Sequence, residues 1–387
     1  MVFKTYKMND MKGKQGLVCM GLLLVLSSCH TGKQITASGL QRKDFQTEVN
    51  GQHTDLFTLS NKQGMEVCIT NYGARVVSIL VPDRNGKRED VVCGFSTITE
   101  YMEQRQNFGS TVGRYIGRIL NARFTLDGVE YKLVPNNGKS GHISHGGNPG
   151  FADRIWKVEQ ADTHRVRLSY LSPDGENGFP GNLKVTLVYS LGEDDNALDL
   201  TYEATTDAPT VLNLSHHSFF NISGNFTKSV EDQQLWVDAD RFTPYDDKKC
   251  VTGEYLPVAG TPLDFRMPHT IGECIDADHP QLKVVNGYDH TWELNTKGDD
   301  TRPAAWVYDP ASGRKMEIFT TEPGMQIYTG NGLKGKMTGK GGIAYPFRSA
   351  VCFETMHFQD SPNQPEFPST VLRPGEVFRS HTVYKFE

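Results

Sequence analysis

The sequence has no long hydrophobic run and no excess of basic residues. Its longest apolar stretch, from Leu17 to Leu26, is shorter than the roughly 20 residues that a membrane-spanning helix needs. The 40 lysines and arginines are outnumbered by 46 aspartates and glutamates, which gives a formal net charge of −6. Nucleic-acid-binding proteins depend on basic surfaces that neutralise phosphates. We therefore expect neither a spanning helix nor a nucleic-acid partner.

Cysteines are few, and their spacing does not match a metal site. Only seven occur in 387 residues, and no pair has the short separations of zinc ligands. Cys68, Cys93 and Cys352 lie in apolar runs, so we predict that they are core residues. One disulfide could form in an oxidising compartment, and the spacing favours no particular pair.

The first 28 residues have the pattern of an export signal. Four lysines precede the apolar run, and Leu26-Ser-Ser-Cys29 follows it. Cysteine directly after Leu-Ser-Ser resembles a bacterial lipobox, in which Cys29 is lipidated. The alternative is an ordinary signal peptide with a coincidental cysteine. We expect residues 1–28 to be a lipoprotein signal peptide and residues 29–40 a flexible polar tether.

Removing that signal would leave a more acidic protein. Residues 1–28 carry four lysines and one aspartate, a net charge of +3, so the remaining 359 residues would carry −9 against −6 for the whole chain. We expect an exported lipoprotein, either periplasmic or anchored at the outer membrane. Its only contact with the membrane would be the lipid on Cys29.

Alternation of apolar and polar residues dominates the rest of the chain. In Ala197–Ala204, four alternate side chains are apolar and the side chains between them are polar. This pattern is typical of a half-buried antiparallel strand. Turn sequences separate such runs: Asp83-Arg-Asn-Gly86, Leu126-Asp-Gly128, Pro173-Asp-Gly175 and Glu193-Asp-Asp-Asn196. Only Thr97 to Arg105 looks helical. With no linker or repeat in residues 41–387, we predict a single all-β domain, a large antiparallel β-sandwich.

Functional side chains gather at the ends of two of these runs. Adjacent histidines stand in Asn213-Leu-Ser-His-His-Ser-Phe-Phe-Asn221, and imidazole can protonate an oxygen near neutral pH because its ordinary pKa is about 6.5. Glu354 follows the apolar Val351-Cys-Phe, where a carboxylate must be paired, desolvated or catalytic. The structural alternatives are a hydrogen-bonded histidine pair and an ion pair between Glu354 and Arg348.

Several further motifs follow one another along the chain. They are His-Gly-Gly from His145, Ser172-Pro-Asp-Gly-Glu-Asn-Gly-Phe-Pro-Gly181, Gly287-Tyr-Asp-His290, Pro323-Gly-Met-Gln-Ile-Tyr-Thr-Gly-Asn331, Phe353-Glu-Thr355, Asn363-Gln-Pro-Glu-Phe-Pro368 and Leu372-Arg-Pro-Gly-Glu376. Together with the run ending at Asn221, this order resembles the aldose 1-epimerase (galactose mutarotase) family over residues 45–387. The resemblance implies the galactose mutarotase-like supersandwich fold.

The resemblance also implies an activity and a set of site residues. Members interconvert the α and β anomers of free aldohexoses such as galactose and glucose, by acid–base ring opening and reclosure, without a cofactor or metal. By this resemblance Glu354 is the general base, His217 the general acid, and His145 a second histidine at the anomeric centre. The residues expected to bind sugar hydroxyls are Arg118, Asp289, Gln326 and Ser218.

The sequence departs from the family's pattern at three positions. Gly117 stands where asparagine is usual, Phe219 where tyrosine is common, and His216 where asparagine is frequent. The first two remove polar groups near the sugar, so epimer preference and affinity stay open. An aromatic residue is expected to cover the apolar face of the sugar ring, with Phe219, Phe220 and Trp292 as candidates.

Four other functions compete with this hypothesis. The first is a non-catalytic carbohydrate-binding lipoprotein on the same fold. The second is a glycoside hydrolase, in which Asp289 or Glu176 would be the second carboxylate beside Glu354. The third is an epimerase for phosphorylated hexoses, which would need additional arginines. The fourth is metal ligation, by His142 with His145 or by His216 with His217. Arg118 and Asp289 also have structural alternatives, an ion pair and a turn cap.

Overall fold

Alternating side chains build the longest strands of the molecule. The computed structural model describes residues 34–387, and most regular structure in this range is antiparallel β. In strand Ala197–Thr206, Leu198, Leu200, Tyr202 and Ala204 are buried, as the alternation predicted. The four predicted turn sequences each follow or connect strands, so the prediction of a mostly β fold with large antiparallel sheets is confirmed.

The largest sheet has nine strands and forms one wall of the core. In spatial order its strands are Lys157–Ala161, Arg165–Ser172, Leu183–Leu191, Ala197–Thr206, Phe378–Phe386, Lys315–Thr320, Ala305–Tyr308, Gln234–Val237 and His269–Thr270. All neighbouring strands in it are antiparallel. Its inner face is apolar, and its outer face carries the polar residues of the same strands.

A six-stranded sheet packs against it and is here called the site sheet. Its strands, in spatial order, are Phe219–Phe220, Val351–Met356, Gly324–Tyr328, Asp289–Glu293, Arg241–Thr243 and Leu256–Pro257. Val351 and Phe353 pack in the core against the nine-stranded sheet. Glu354 follows Phe353 directly on the same strand and therefore faces away from that core, as Cys352 does. The site sheet therefore has one face in the core and one face available for function.

Smaller elements complete the described part of the chain. A four-stranded sheet contains Leu56–Ser60, Glu66–Thr70, Arg75–Pro82 and Arg88–Asp90. Five strand pairs are Glu48–Val49 with Gln52–His53, Ser110–Val112 with Ser215–His217, Arg118–Ile119 with Ile143–Ser144, Arg123–Leu126 with Val129–Lys132, and Thr210–Val211 with Val371–Leu372. The two α-helices are Ile98–Gln104 and Pro280–Val285. Short 3-10 turns span Arg42–Phe45, Leu120–Ala122, Gly138–Ser140, Phe151–Asp153, Glu176–Gly178, Lys340–Gly342 and Ser361–Asn363.

The predicted helix is confirmed, and its start follows from its sequence. Helix Ile98–Gln104 is capped by Thr97, whose side chain accepts a hydrogen bond from the Glu100 backbone N–H while the Glu100 carboxylate accepts from the Thr97 N–H. The helix Pro280–Val285 was not predicted, because six residues are too few to show a helical period.

Hydrogen bonds join the site sheet to the nine-stranded sheet through the core. The Tyr384 hydroxyl donates to the Phe353 carbonyl at 3.0 Å, and the Thr355 and Thr382 hydroxyls lie 2.7 Å apart. The rings of Phe220 and Tyr384 pack with their centroids 5.1 Å apart. The strand that carries Glu354 is thereby held from behind by polar and aromatic contacts.

The predicted tether is wrong over part of its length. Residue Leu40 is buried in a core cluster, the Ser38 hydroxyl lies 3.0 Å from that of Ser78, and Ile35 pairs with Gln41. Apolar burial and these hydrogen bonds make residues 35–40 part of the domain. Cys29 and the predicted signal peptide lie outside the described residues.

The cysteines and helices of the described range agree with the predictions made for them. Cys68, Cys93 and Cys352 are fully buried, as expected. The five cysteines in residues 34–387 are all free thiols. Over the same range, no helix has the length and apolar character needed to cross a bilayer.

We predict that Tyr384→Phe lowers the free energy of unfolding by about 1 kcal/mol, because the Phe353 carbonyl loses a buried hydrogen-bond donor. The midpoint of urea denaturation measures this loss. The control is Tyr308→Phe, which removes a hydroxyl from a half-buried ring of the same sheet. Equal losses in the two variants would contradict a specific role for the Tyr384 hydroxyl.

Candidate active site

Three neighbouring strands of the site sheet carry polar side chains on the same face. Gln326 lies opposite Glu354 on one side and Thr291 on the other, and Asp289 lies opposite Tyr328. The residues between them, such as Ile327 and Phe353, are in the core. The strand periodicity thus collects a carboxylate from each of two strands and an amide from the strand between them.

His217 approaches this row from a separate strand pair. It ends strand Ser215–His217, which pairs with Ser110–Val112. Its Nε2 lies 3.2 Å from Glu354 Oε1, and the two side chains are only 7% and 5% exposed. The imidazole stacks on the Phe219 ring with centroids 5.0 Å apart and planes inclined by 19°. Phe219 therefore fixes the plane of the imidazole, and Nε2 is directed at the carboxylate.

Burial destabilises both charges of this pair. Desolvation raises the pKa of Glu354 well above its ordinary value, and the nearby Asp289 adds to the rise. Desolvation also lowers the pKa of His217 well below its ordinary value, with a smaller contribution from His145. Each charge is stable only opposite the other, so we infer that the pair holds one proton between Nε2 and Oε1.

The other nitrogen of His217, Nδ1, is buried. Within residues 34–387 it has no hydrogen-bond partner. Nε2, which faces Glu354 in the cavity wall, is therefore the nitrogen at which His217 can exchange a proton with the pocket.

His145 is a neutral hydrogen-bond donor beside this pair. It follows strand Ile143–Ser144 in a left-handed conformation (φ 52°), and its ring lies 5.5 Å from that of His217 at an angle of 75°. Its Nδ1 accepts a hydrogen bond from the Gly117 N–H at 3.4 Å. Burial and the Arg118 charge lower the pKa of His145 to about 4, so its Nε2 carries the single ring proton at neutral pH.

A hydrogen-bond network fixes the amide of Gln326. Its Nε2 donates to Asp289 Oδ1 at 2.6 Å, and its Oε1 accepts from the Thr291 hydroxyl at 2.5 Å and from Gln359 Nε2 at 3.3 Å. The same Gln359 nitrogen donates to the Tyr245 hydroxyl at 2.7 Å. The amide orientation is therefore determined by donors on one end and an acceptor on the other.

Arg118 supplies positive charge to the pocket. It begins strand Arg118–Ile119, and among the described residues its guanidinium forms no ion pair. The structural ion pair considered for it is thus not found. Its charge opposes the rise in the pKa of both Asp289 and Glu354, which burial causes. Arg118 accordingly favours the ionised form of both carboxylates.

These side chains surround one cavity of about 240 Å³. Pockets for drug-sized ligands occupy ~300–1,000 Å³, so this cavity suits a single sugar ring. The described residues that line it are Gln106, Asn107, Gly117, Arg118, Ser144, His145, His217, Phe219, Asp289, Gln326, Tyr328, Glu354, Met356 and Gln359. The predicted residues His145, His217, Glu354, Arg118, Asp289 and Gln326 all converge on it.

Ser218 requires a correction. It was expected to bind a sugar hydroxyl, but its hydroxyl lies 2.6 Å from His216 Nε2 on the core side of the strand and does not line the cavity. His216 in turn contacts the Tyr189 hydroxyl at 3.4 Å. Successive side chains of a strand point to opposite faces, so the neighbours of His217 point away from the cavity.

Other candidate residues also lie elsewhere. Phe220 and Trp292 are in the core, which leaves Phe219, with Tyr328, as the aromatic lining of the cavity. Arg348 pairs with Glu231 and Asp276, both at 2.7 Å, and not with Glu354. Glu176 pairs with Arg154 at 2.6 Å outside the cavity.

The two histidine pairs considered as metal ligands are not assembled as such. His142 Nδ1 accepts from the Asn121 N–H at 2.9 Å, and its Nε2 lies 3.2 Å from the Cys250 sulfur. His216 and His217, adjacent in sequence, point to opposite faces of their strand. Neither pair therefore converges on a common point.

Sequence reasoning missed six lining residues and Tyr245, which accepts a hydrogen bond from one of them. The six are Gln106, Asn107, Ser144, Tyr328, Met356 and Gln359. A signal existed for two of them, because Tyr328 and Met356 each lie two residues after a predicted site residue on the same strand and so share its face. Tyr245 and Gln359 stand in irregular segments, where no periodicity indicates the direction of a side chain.

Comparison with known proteins identifies the family. The family described as Aldose 1-epimerase matches residues 55–385. The chain belongs to the aldose 1-epimerase family. Among its relatives in this family, the galactose mutarotase of Sus scrofa is 39% identical over 330 residues, 85% of this chain and 93% of the relative. The aldose 1-epimerase of Escherichia coli K12 is 36% identical over 339 residues, 87% of this chain and 96% of the relative.

Solved structures of the aldose 1-epimerase family share the fold. An aldose epimerase homologue from C. elegans superposes with a TM-score of 0.79 at 31% identity, covering 86% of this chain and 99% of the other. A galactose 1-epimerase from Lactobacillus acidophilus gives a TM-score of 0.76 at 28% identity, with coverages of 88% and 96%. The galactose mutarotase-like fold is therefore confirmed.

We predict that Gly117→Ala weakens monosaccharide binding by displacing Gln359. Gly117 has φ +75°, and a Cβ there would lie 2.5 Å from Gln359 Cγ. Gln359 would then release both Tyr245 and Gln326. Isothermal titration with galactose or glucose measures the affinity.

Gly128→Ala is the matched control. Gly128 has a similar φ of +79°, but nothing lies within 4 Å of its Cβ position. Both variants carry the same backbone strain, on the order of 1–2 kcal/mol. Only Gly117→Ala should lose sugar affinity, and an equal loss in both would show that the Gln359 contact does not matter.

Proposed function

We propose that the protein is an aldose 1-epimerase that interconverts the α and β anomers of free aldohexoses, with galactose and glucose as its first candidate substrates. The observation that carries this proposal is the 3.2 Å contact of His217 Nε2 with Glu354 Oε1 in the wall of a cavity sized for one sugar ring. Galactose is the first choice because the mammalian relatives are named galactose mutarotases.

Ring opening needs a base and an acid at neighbouring oxygens. In our proposal the Glu354 carboxylate takes the proton of the C1 hydroxyl, the bond from C1 to the ring oxygen breaks, and a C1 carbonyl forms. His217 Nε2 gives its proton to the ring oxygen, which becomes the C5 hydroxyl. Each of the two transfers contributes on the order of 10²–10⁴-fold.

Closure reverses both transfers. After rotation about the C1–C2 bond, His217 takes back the C5 hydroxyl proton as that oxygen attacks the other face of C1. Glu354 returns its proton to the C1 oxygen. The pair ends with the single proton that it began with, so no external acid, base or cofactor enters the balance.

The remaining polar groups suit substrate orientation. The neutral His145 Nε2–H can donate to the oxygen on which charge develops, and a donor fixed in advance costs no reorganisation. Sugar hydroxyls form directed hydrogen bonds, and the pocket offers matching partners. The guanidinium of Arg118 donates, the carboxylate of Asp289 accepts, and the amide of Gln326 can do either. Phe219 and Tyr328 supply apolar surface for the ring.

The competing functions find less support. A pure binding protein has no need of the His217–Glu354 pair, whose burial is costly. For a hydrolase, Glu176 lies outside the cavity, and Asp289 is held by Gln326. For a phosphorylated hexose, Arg118 is the only arginine among the described lining residues, and no lysine joins it.

We predict that Glu354→Gln and His217→Ala each slow catalysed mutarotation by on the order of 10²–10⁴-fold, because each removes one proton transfer. Polarimetry of freshly dissolved α-D-galactose and α-D-glucose measures the approach to equilibrium. The substrate with the larger kcat/KM is the preferred sugar.

A second histidine–glutamate pair, with a half-buried histidine and a buried glutamate, provides the control. His357 Nδ1 lies 2.7 Å from Glu322 Oε2 outside the cavity lining. Glu322→Gln and His357→Ala should keep the rate of the folded enzyme, and the loss of this pair should appear only as easier unfolding in urea. A wild-type rate equal to the uncatalysed drift on both sugars, or full activity of Glu354→Gln, would overturn the proposed function.

We further propose that the enzyme is exported and anchored by a lipid on Cys29, as the N-terminal sequence predicts. Its support is the basic segment, the short apolar run and Leu26-Ser-Ser-Cys29. In a bacterial host, Cys29→Ser should abolish incorporation of labelled palmitate and move the protein from the membrane fraction to the soluble one. Label retained by the Cys29→Ser variant would contradict the anchor.

A further inference from the structure

Cys352 lies beneath the acid–base pair. It precedes Glu354 by two residues on strand Val351–Met356, so both side chains leave the same face of the site sheet. The thiol is fully buried and makes no contribution to the proposed proton transfers. His217 arrives from another strand pair and completes a group of three different ligand types.

The ligand atoms of this group are close enough to share one ion. His217 Nε2, the Cys352 sulfur and a Glu354 oxygen all lie within 4.8 Å of one another, and all three residues are buried. The Nε2 to Oε1 distance is 3.2 Å. In a tetrahedral zinc site with metal–ligand bonds of ~2.0–2.2 Å, the corresponding edge is about 3.3 Å. The nitrogen and oxygen are therefore already spaced as metal ligands.

We propose that His217, Cys352 and Glu354 form a binding site for a thiophilic divalent cation such as Zn²⁺ or Cd²⁺, and that its occupation reversibly inhibits the enzyme. The inhibitory part rests on the proposed function, because the cation occupies Nε2 and the carboxylate that would transfer protons. The binding part does not depend on any activity.

Charge and ligand type both favour such a cation. A thiolate and a carboxylate carry two negative charges and a neutral imidazole carries none, so the buried site would be neutral when a divalent cation fills it. Binding releases the thiol proton and the proton shared by the pair. Thiolate with imidazole suits zinc and its heavier relatives, whereas Mg²⁺ and Ca²⁺ prefer sites made of oxygen ligands.

The cavity gives access and a fourth position. His217 and Glu354 line it, and Cys352 is not among the lining residues. A cation arriving through the cavity would meet the imidazole and carboxylate first and the sulfur behind them. The open side would hold water, as in zinc sites with three protein ligands.

The test combines a binding signal with an activity signal on the folded enzyme. Cadmium chloride is the probe, because thiolate bound to Cd²⁺ gives an ultraviolet charge-transfer absorption. The mutarotation rate of each variant is measured with and without cadmium. The ratio of these two rates is that variant's cadmium sensitivity. We expect the wild type to bind one Cd²⁺ with this absorption and to lose mutarotation, which EDTA restores.

Variants at the cysteines assign the site. Cys352→Ala, with Cys352→Ser as a second variant, should lose the absorption and lose cadmium sensitivity by more than the ~10–100-fold that removal of an outer-sphere partner costs. Cys250→Ser is the control, since this thiol is more exposed and also lies beside a histidine, His142, at 3.2 Å. It should keep both the absorption and the inhibition.

The outcomes separate the two proposals. No thiolate absorption in the wild type, or full cadmium sensitivity in both Cys352 variants, would overturn the metal site. An absorption that depends on Cys352 in a protein without mutarotase activity would support the metal site and refute the proposed function. Zinc chloride, tested by its inhibition constant alone, should follow the same order of variants.

Discussion

The candidate active site depends on the alternation of side chains across the site sheet. One face of this sheet is part of the core, where Ile327 and Phe353 pack against the nine-stranded sheet. The opposite face holds Gln326 and Glu354 on paired strands. Each polar group is therefore supported by the packing of its immediate neighbours in sequence, so the precision of the site comes from the same contacts that stabilise the fold.

The second determinant is the burial of a mutually dependent pair. In water a carboxyl group and an imidazole titrate independently of each other. Here both are buried in contact, so the protonation state of one depends on that of the other. In the proposed mechanism a sugar changes that balance, because its oxygens supply hydrogen-bond partners to both groups. These oxygens complete the proposed proton transfers, and His145, whose pKa is lowered to about 4, enters as a neutral donor.

The sequence predicted the β architecture well, because period-two patterns report directly which residues face a core. It singled out Glu354, because a carboxylate after an apolar run must be paired, desolvated or catalytic, and the role of general base came from the resemblance. The choice of His217 over His216 rested on resemblance, since periodicity alone does not say which face of a strand is the functional one. Gln359 and Tyr245 were out of reach: they are far apart in the chain, and only the tertiary fold brings their side chains within 2.7 Å. The burial of Leu40 was missed for a similar reason, since one apolar residue in a polar segment shows no period.

The close fit of Gly117 against Gln359 constrains how this protein can change over evolutionary time. Any side chain at position 117 would occupy the space that the Gln359 side chain now fills. A side chain gained at 117 would displace the Gln359 side chain, and a shorter residue at 359 would remove that conflict. The two positions, distant in sequence, should therefore vary together among close relatives.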